Sequence, residues 1–318
     1  MAEAKTSSTE YMVSVIIPTF NRAEQVCDCV DSLLQSSHKN LEIIVVDNAS
    51  TDDTVTVLEN RFGDKITVLK LRENLMAAGG RNQGIKIAKG YFLMFLDNDN
   101  KVTPDMIEKL VDFALRDESI GLVGPLTLQA NDDMVIWTAS GRIRKWSSRP
   151  ENLYAGKRVE EVSLEEAYPT ELSPNCMMIS RAAIEAVGGF DTSYYAMYEE
   201  SDIGSRILKA GFKEFILTSA VTHHFETVSK DGNLPLRKLG AWPAERAFHF
   251  AKNRFIYMKK YATWYQRVLF YIFWGPVFTV YYVAKALQCK DSAVAKAWLR
   301  GTFTGLTTKA DKNIRIEL

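Results

Sequence analysis

Asp97 and Asp99 stand two residues apart in Tyr91-Phe-Leu-Met-Phe-Leu-Asp-Asn-Asp-Asn100, directly after an apolar run. Two carboxylates at that spacing in an extended turn can point the same way and share a hard cation. Such a cation takes one or two protein carboxylates and leaves its other positions to water and phosphate oxygens. An isolated D-x-D more often closes a polar turn, so the setting decides. Here the six apolar residues before it are too few for a free-standing helix and predict a strand buried on both faces. Open α/β sheets bind ligands at the carboxyl ends of their strands, which is where this turn falls.

The elements that must position this pair alternate in type. Strands are expected at 13–18, 42–47, 66–71 and 91–96, each a β-branched or apolar run. Helices are expected at 23–36, from the capping residues Ser50, Thr51 and Asp52 to about 62, at 77–88, and at 104–116 behind Pro104. This βαβα order predicts a mostly parallel central sheet with helices on both faces.

Two further strand ends carry matching chemistry. Pro18-Thr-Phe-Asn-Arg22 and Asp47-Asn-Ala-Ser-Thr-Asp52 would sit side by side at the same edge as Asp97. A carboxylate such as Asp47 can accept the imide N–H of a uracil or thymine ring, and Thr19 supplies a hydroxyl. The run from Asn74 to Gly84 permits close backbone approach through its glycines, with Arg81 reaching a phosphate. Neither a dinucleotide fingerprint nor a P-loop occurs, so the phosphates are held some other way. Singly, Asp47 reads as a cap and Arg81 as a solvated charge. Together, the three strand ends describe a nucleotide-diphosphate cleft with its own metal site.

Composition narrows the class. The chain has 318 residues, enough for one large α/β domain or two smaller ones, and its formal net charge is zero. That balance does not favour nucleic acid as a partner. Cys27, Cys29, Cys176 and Cys289 form no C-x-x-C pair, which suits reduced thiols in a cytosolic compartment. Residues 1–11 are polar, lack an apolar signal core, and read as a loose tail.

Val13-Ser-Val-Ile-Ile-Pro-Thr-Phe-Asn-Arg22, Ile44-Val-Val-Asp-Asn-Ala-Ser-Thr-Asp-Asp53, Gly80-Arg-Asn-Gln-Gly84 and Leu96-Asp-Asn-Asp99 resemble the family 2 glycosyltransferases. As an ordered set over about residues 12–230 these motifs are specific, and the likeness is nearest to the rhamnosyltransferase-like branch. The resemblance implies the GT-A fold and a metal-dependent, inverting transfer of sugar from a UDP- or dTDP-linked donor to a hydroxyl of a glycan or lipid-linked acceptor. It implies a donor-side set of Pro18, Thr19, Asn21, Arg22, Asp47, Asn74, Arg81 and Asp97. It also implies a turn beside the donor sugar at Gly189, Phe190 and Asp191.

At Tyr198-Glu-Glu-Ser-Asp202 the resemblance implies a Glu-Asp pair whose second member takes the acceptor proton. Glu199 and Glu200 align with that pair, so Glu stands where Asp is usual. Acidic residues in a first helical turn are also favoured by the helix dipole alone. Asp202 is the alternative base; the two lie about 200° apart on a helix, so they cannot both face the acceptor. For the metal, Mn²⁺ or Mg²⁺, the resemblance implies Asp99 and His223, with Asp97 acting through water and His224 as the alternative. The Q-x-x-R-W signature of processive synthases is missing, which implies one sugar per encounter. Two alternatives are an idle nucleotide-sugar-binding membrane scaffold, which would need none of these carboxylates, and a sugar-phosphate nucleotidyltransferase, which would want a Gly-rich loop after the first strand.

Residues 125–172 are poorly periodic and read as a variable excursion facing the acceptor, with Trp137, Trp146 and Tyr154 able to stack on sugar rings. Strands at 175–180 and 215–221 and a helix from 198 to about 210 complete a catalytic unit ending near 240. The remaining 241–318 reads as a helical region. Residues 268–284 are almost uninterrupted apolar sequence, slightly short of the roughly 20 that a span needs, with a kink expected at Gly275-Pro276. Trp264, Tyr265 and Trp274 favour a membrane interface, and Arg267, Lys285 and Lys290 can meet anionic lipid. The expectation is attachment to the cytoplasmic face of the membrane through 264–287, with a buried helical hairpin as the alternative.

Overall fold

The structure, a computed structural model, describes residues 8–172, 175–225 and 234–318. Its first part runs β1 (Val13–Thr19), α1 (Ala23–Leu34), β2 (Leu41–Asp47), α2 (Thr54–Phe62), β3 (Thr67–Lys70), α3 (Met76–Ile87) and β4 (Phe92–Leu96). β1 pairs in parallel with both β2 and β4, and β2 with β3. Successive side chains of β1 alternate between faces. Val13, Val15 and Ile17 pack with α1 and α2, whereas Ile16 packs with Ala78 and Ile85 of α3.

The chain continues through β5 (Asn100–Val102), α4 (Met106–Ala114), β6 (Ile120–Gln129), β7 (Asp132–Thr138), β8 (Gly141–Arg144), β9 (Arg149–Asn152), β10 (Ala167–Pro169), β11 (Cys176–Ser180), α5 (Arg181–Val187), α6 (Glu199–Lys209) and β12 (Lys213–His224). The main sheet has the order β10-β12-β6-β11-β4-β1-β2-β3, with β11 antiparallel between β4 and β6. The mostly parallel sheet is as expected. The segment 125–172 is more regular than its composition suggests: it holds the end of β6, β7, the β8–β9 hairpin and β10. Short strands broken by bulges leave little periodicity to read.

The C-terminal region runs α7 (Leu234–Lys238), α8 (Ala244–Tyr261), α9 (Trp264–Leu269), a π-helical turn at Phe270–Trp274, α10 (Gly275–Gln288) and α11 (Ser292–Thr307). Trp264–Gln288 is one continuous helical path of 25 residues, long and apolar enough to cross a membrane by length and composition. The expected break at Pro276 is absorbed by the π turn, which loosens the ladder just where proline lacks its N–H. Tyr282 stacks on Trp298 at 3.8 Å, so α10 and α11 do form a helical hairpin, seated on α8. Only one face of that hairpin is covered: Trp264, Ile272, Val280 and Phe303 are 71%, 75%, 70% and 67% exposed.

Residues 8–11 are not loose. Ser8–Glu10 form a 3₁₀ turn, and Tyr11 packs edge-on against Tyr91 with ring centres 4.9 Å apart. Residues 1–7, Glu226 and Ser229 lie outside the described residues.

Candidate active site

Because β1, β2 and β4 are parallel and in register, with Thr19 opposite Asp47 and Ile16 opposite Phe95, their carboxyl ends form one ledge. Asp47 is 2% exposed; its Oδ2 accepts from the Ser50 N–H at 3.1 Å and its Oδ1 has no hydrogen-bond partner. A buried acceptor left open in this way suits a donor on a bound base. Thr19 Oγ1 and the Pro18 carbonyl accept from Asn98 Nδ2 at 3.1 and 3.3 Å, which ties the β1 and β4 ends together. Asn21 uses its amide on Thr51, accepting from its N–H at 2.8 Å, and so joins the β1 and β2 loops. Asn74 Oδ1 accepts from the Met76 N–H at 2.8 Å at the start of α3.

Helix α3 lies directly on β1 and β2 because glycine faces them. A Cβ on Gly84 would sit 2.4 Å from Ile16 Cγ2. The close approach carries Arg81 into the interior, where it is 1% exposed. Its Nη2 donates to Asp97 Oδ1 at 2.7 Å and its Nη1 to Glu200 Oε1 at 3.1 Å, with Glu199 Oε1 at 3.9 Å. This corrects the expectation that Arg81 reaches a phosphate: the guanidinium is committed to carboxylates. Burial opposes its charge, but Glu200, Asp97 and Glu199 outweigh burial and push its pKa further up. Asp97 remains 34% exposed along its side chain, yet enclosure raises its carboxyl to about 6, with Arg81 pulling the other way.

The start of α6 is delivered by an unusual loop. Tyr195, Met197 and Tyr198 all have positive φ, at 64°, 64° and 71°. For non-glycine residues such angles cost about 1 kcal/mol or more each and need support. Asn253 of α8 supplies it: its Nδ2 lies 2.8, 2.7 and 2.9 Å from the carbonyls of Tyr194, Ala196 and Met197. Glu199, 4% exposed, has its carboxyl pushed up to about 8 by burial and by Glu200, against Arg81. Glu200 keeps 15% of its side chain open to the cleft. Asp202 points the opposite way and is fully enclosed, bound by Arg206 at 2.9 Å, Lys260 at 2.5 Å and the Tyr261 hydroxyl at 2.7 Å. Of the two candidate bases, only Glu200 keeps any exposed surface.

The turn at Gly189, Phe190 and Asp191 is anchored on α3, since Asn82 accepts from the Phe190 N–H at 2.7 Å and donates to its carbonyl at 2.9 Å. The Asp191 carboxylate takes Lys260 at 2.8 Å. Burial works against its charge, and Lys260 overcomes burial, holding the carboxyl below its usual range.

Asp99 Oδ1 is buried without a hydrogen bond, and His224 Nε2 lies 3.5 Å from it, while Arg22 Nη1 is 4.0 Å from Oδ2. The antiparallel β5–β12 pairing makes this contact by placing His224 opposite Asn100. His223 therefore falls on the other face of β12, beside Lys101 and Asp133, and the expected pairing of Asp99 with His223 is corrected to His224. One carboxylate and one imidazole make a plausible donor pair for Mn²⁺, less so for Mg²⁺. Among the described residues no cluster of three or more His, Cys, Asp or Glu could hold an ion, so the other positions would fall to water and phosphate. Trp137 lies over His224 with ring centres 4.9 Å apart, lining a cavity of about 470 Å³ together with Asp99 and Asp28. Trp146 and Tyr154 lie elsewhere, against Tyr265 and Tyr168.

Four residues of this arrangement went unread in sequence. Asn98 and Asn82 stood inside quoted motifs, where an Asn between charged or glycine residues is a hint. Asn253 and Lys260 carry no local signal, since their partners are more than fifty residues away.

The profile of the Glycosyl transferase family 2 matches residues 14–188, more than half of the chain. The chain belongs to this family. Among family 2 relatives, TuaG of Bacillus subtilis, provisionally named as a teichuronic acid biosynthesis glycosyltransferase, is 39% identical over 106 residues, 33% of this chain and 42% of that protein. WfaP of Escherichia coli, a UDP-Glc:α-D-GlcNAc-diphosphoundecaprenol β-1,3-glucosyltransferase, is 36% identical over 102 residues, 32% of this chain and 41% of that one. The matched stretch thus spans less than half the length of these relatives. The crystal structure of GalNAc-T7 with UDP, GalNAc and Mn²⁺ superposes with a TM-score of 0.57 at 18% identity, covering 77% of this chain and 51% of that one, a likeness of fold.

Proposed function

We propose that this chain moves one hexosyl or deoxyhexosyl unit from a UDP- or dTDP-linked sugar to a hydroxyl of a glycan or lipid-linked acceptor, with inversion. Residues 12–240 form the catalytic unit. Residues 241–318 hold it at the cytoplasmic face of the membrane, chiefly through 264–287. The observation that carries the reading is the Arg81 bridge, which binds Asp97 at 2.7 Å and Glu200 at 3.1 Å and so joins the donor ledge to the base helix. A scaffold or a nucleotidyltransferase needs no such link.

In this reading Asp47 accepts from the base of the donor, and Thr19 lies beside its ribose. Glu200 accepts the proton of the acceptor hydroxyl. That oxygen forms its bond to the anomeric carbon from the face opposite the diphosphate. The bond from that carbon to the diphosphate oxygen breaks, and its electron pair leaves with the nucleotide. Arg81, donating to Glu200 Oε1 at 3.1 Å, keeps it aimed. Asp99 and His224 would hold a divalent cation, whose bound charge would offset that of the departing diphosphate. In this single displacement no covalent sugar–enzyme intermediate is required.

Incubating the purified protein with a panel of nucleotide-sugars and a membrane lipid extract tests this. Mass spectrometry should find acceptors heavier by one sugar, and NMR should find the anomeric configuration inverted. Release of nucleotide with free sugar alone would make the protein a hydrolase.

A further inference from the structure

We infer that Arg254 and Arg149 form a binding site for the phosphate head of a membrane amphiphile, a phosphate monoester or diphosphate whose tail lies along α10. The inference deepens the reading of the C-terminal helices as lipid-facing and rests on it.

Arg254 is 3% exposed, and its guanidinium stacks between Phe250 and Phe278 at 4.3 and 4.2 Å from the ring centres. It also interacts with the Tyr198 hydroxyl, but its Nε and Nη1 have no hydrogen-bond acceptor. Arginine cannot shed its proton to escape such a position, so two buried N–H donors without an acceptor ask for an anion. Arg254 lines a cavity of about 310 Å³ whose other walls are Arg149, Leu239, Val277, Phe278, Tyr281 and Tyr282. Among the described residues no acidic one lines it. Two guanidiniums among apolar walls match a doubly charged head attached to a hydrocarbon chain.

The surroundings favour a lipid over a free anion. Val277 and Tyr281, 42% and 43% exposed, belong both to the cavity wall and to the uncovered apolar face of α10. A tail leaving the cavity therefore meets Val280 and Ile272 without crossing polar surface. From Arg246 to Lys309 the chain carries eleven Lys and Arg and one acid, Asp291, although the whole chain is balanced at 39 of each sign. That asymmetry suits an anionic lipid surface. The head would also sit against Tyr198, the residue before Glu199, within reach of the catalytic loop.

The test is co-sedimentation of the full-length protein with phosphatidylcholine vesicles carrying phosphatidic acid, or phosphatidylglycerol at matched surface potential. The wild type should bind the phosphatidic acid vesicles about tenfold more tightly, the usual worth of one charge-assisted hydrogen bond. Arg254→Met and Arg149→Gln should each bring that affinity to the phosphatidylglycerol level and leave the latter unchanged. Arg149 is exposed, so its variant answers even if Arg254→Met misfolds. Equal binding of both vesicles by the wild type, or a preference that survives in Arg149→Gln, overturns the site while sparing the lipid-facing reading. Binding to neither vesicle overturns both. A third arm uses inorganic pyrophosphate without lipid: if it binds as tightly as the vesicles and is lost in Arg254→Met, the occupant is a soluble anion and the lipid assignment fails.

Discussion

Asp202 and Lys260 form a buried ion pair at 2.5 Å, linking the first turn of α6 to the end of α8. The pair occupies the Asp202 carboxylate and fastens α8 to α6. Lys260 also binds Asp191 at 2.8 Å, so one ammonium fastens both the turn at Asp191 and α6.

Asp202→Asn should therefore act on stability. Breaking a buried pair by removing one partner costs about 3–5 kcal/mol, because the remaining charge is left uncompensated. Urea unfolding should show that loss, and turnover per folded molecule should fall far less than in a Glu200 variant. Unchanged stability with lost turnover would contradict this placement.

Glu199 gives a pH signature. Its folded carboxyl, at about 8, lies above the unfolded value, so between about pH 5 and pH 8 the native state holds more protons than the unfolded one. Its contribution to stability is complete below that window and is lost as pH rises through it. Glu199→Gln should flatten this loss and be the more stable protein at pH 8 and above. Parallel stability curves for the two proteins across the window would rule out a buried, protonated Glu199.

The metal prediction separates two neighbouring histidines. His224→Ala and Asp99→Asn should each weaken Mn²⁺-dependent donor binding by tenfold or more, in line with roughly 10–100-fold losses on disturbing a metal site. His223→Ala should have little effect, since its side chain faces away from Asp99. Calorimetry with UDP and Mn²⁺ checks this, and equal losses in the two histidine variants would refute it.

The membrane prediction uses the surface of the hairpin. Truncation after Tyr261 would be an unclean test, because α11 packs on α8 and the Ile316 carbonyl accepts from the Gly189 N–H at 3.0 Å. Replacing Ile272, Val280 and Phe303 by Glu leaves the packing intact. It should move the protein from the membrane fraction to the soluble fraction with UDP binding unchanged. Retention in membranes would place the contact elsewhere.

Much of the ledge at the strand ends was legible because it is local. Each strand was an apolar run, and Asp47, Asp97 and Asp99 stood at the ends of two of them. What stayed hidden depended on pairing between distant segments. The choice of His224 over His223 follows from the β5–β12 register, which a single residue of slip would reverse. Arg81 looked like a surface charge until glycine-mediated packing of α3 drew it inside. The strained loop before Glu199 cannot be seen from its own residues, since its support is Asn253, contributed by α8.

The most direct test of the account is single-turnover transfer by Glu200→Gln with donor and metal bound. Glu200 is the one carboxylate at the start of α6 that faces the cleft, held by Arg81 at 3.1 Å. The variant should keep donor affinity and lose about 10²–10⁴-fold in rate, the usual worth of a general base. Glu200→Asp should recover part of the loss. Wild-type transfer by Glu200→Gln, or a dead Asp202→Asn that is folded and still binds donor, would contradict the account.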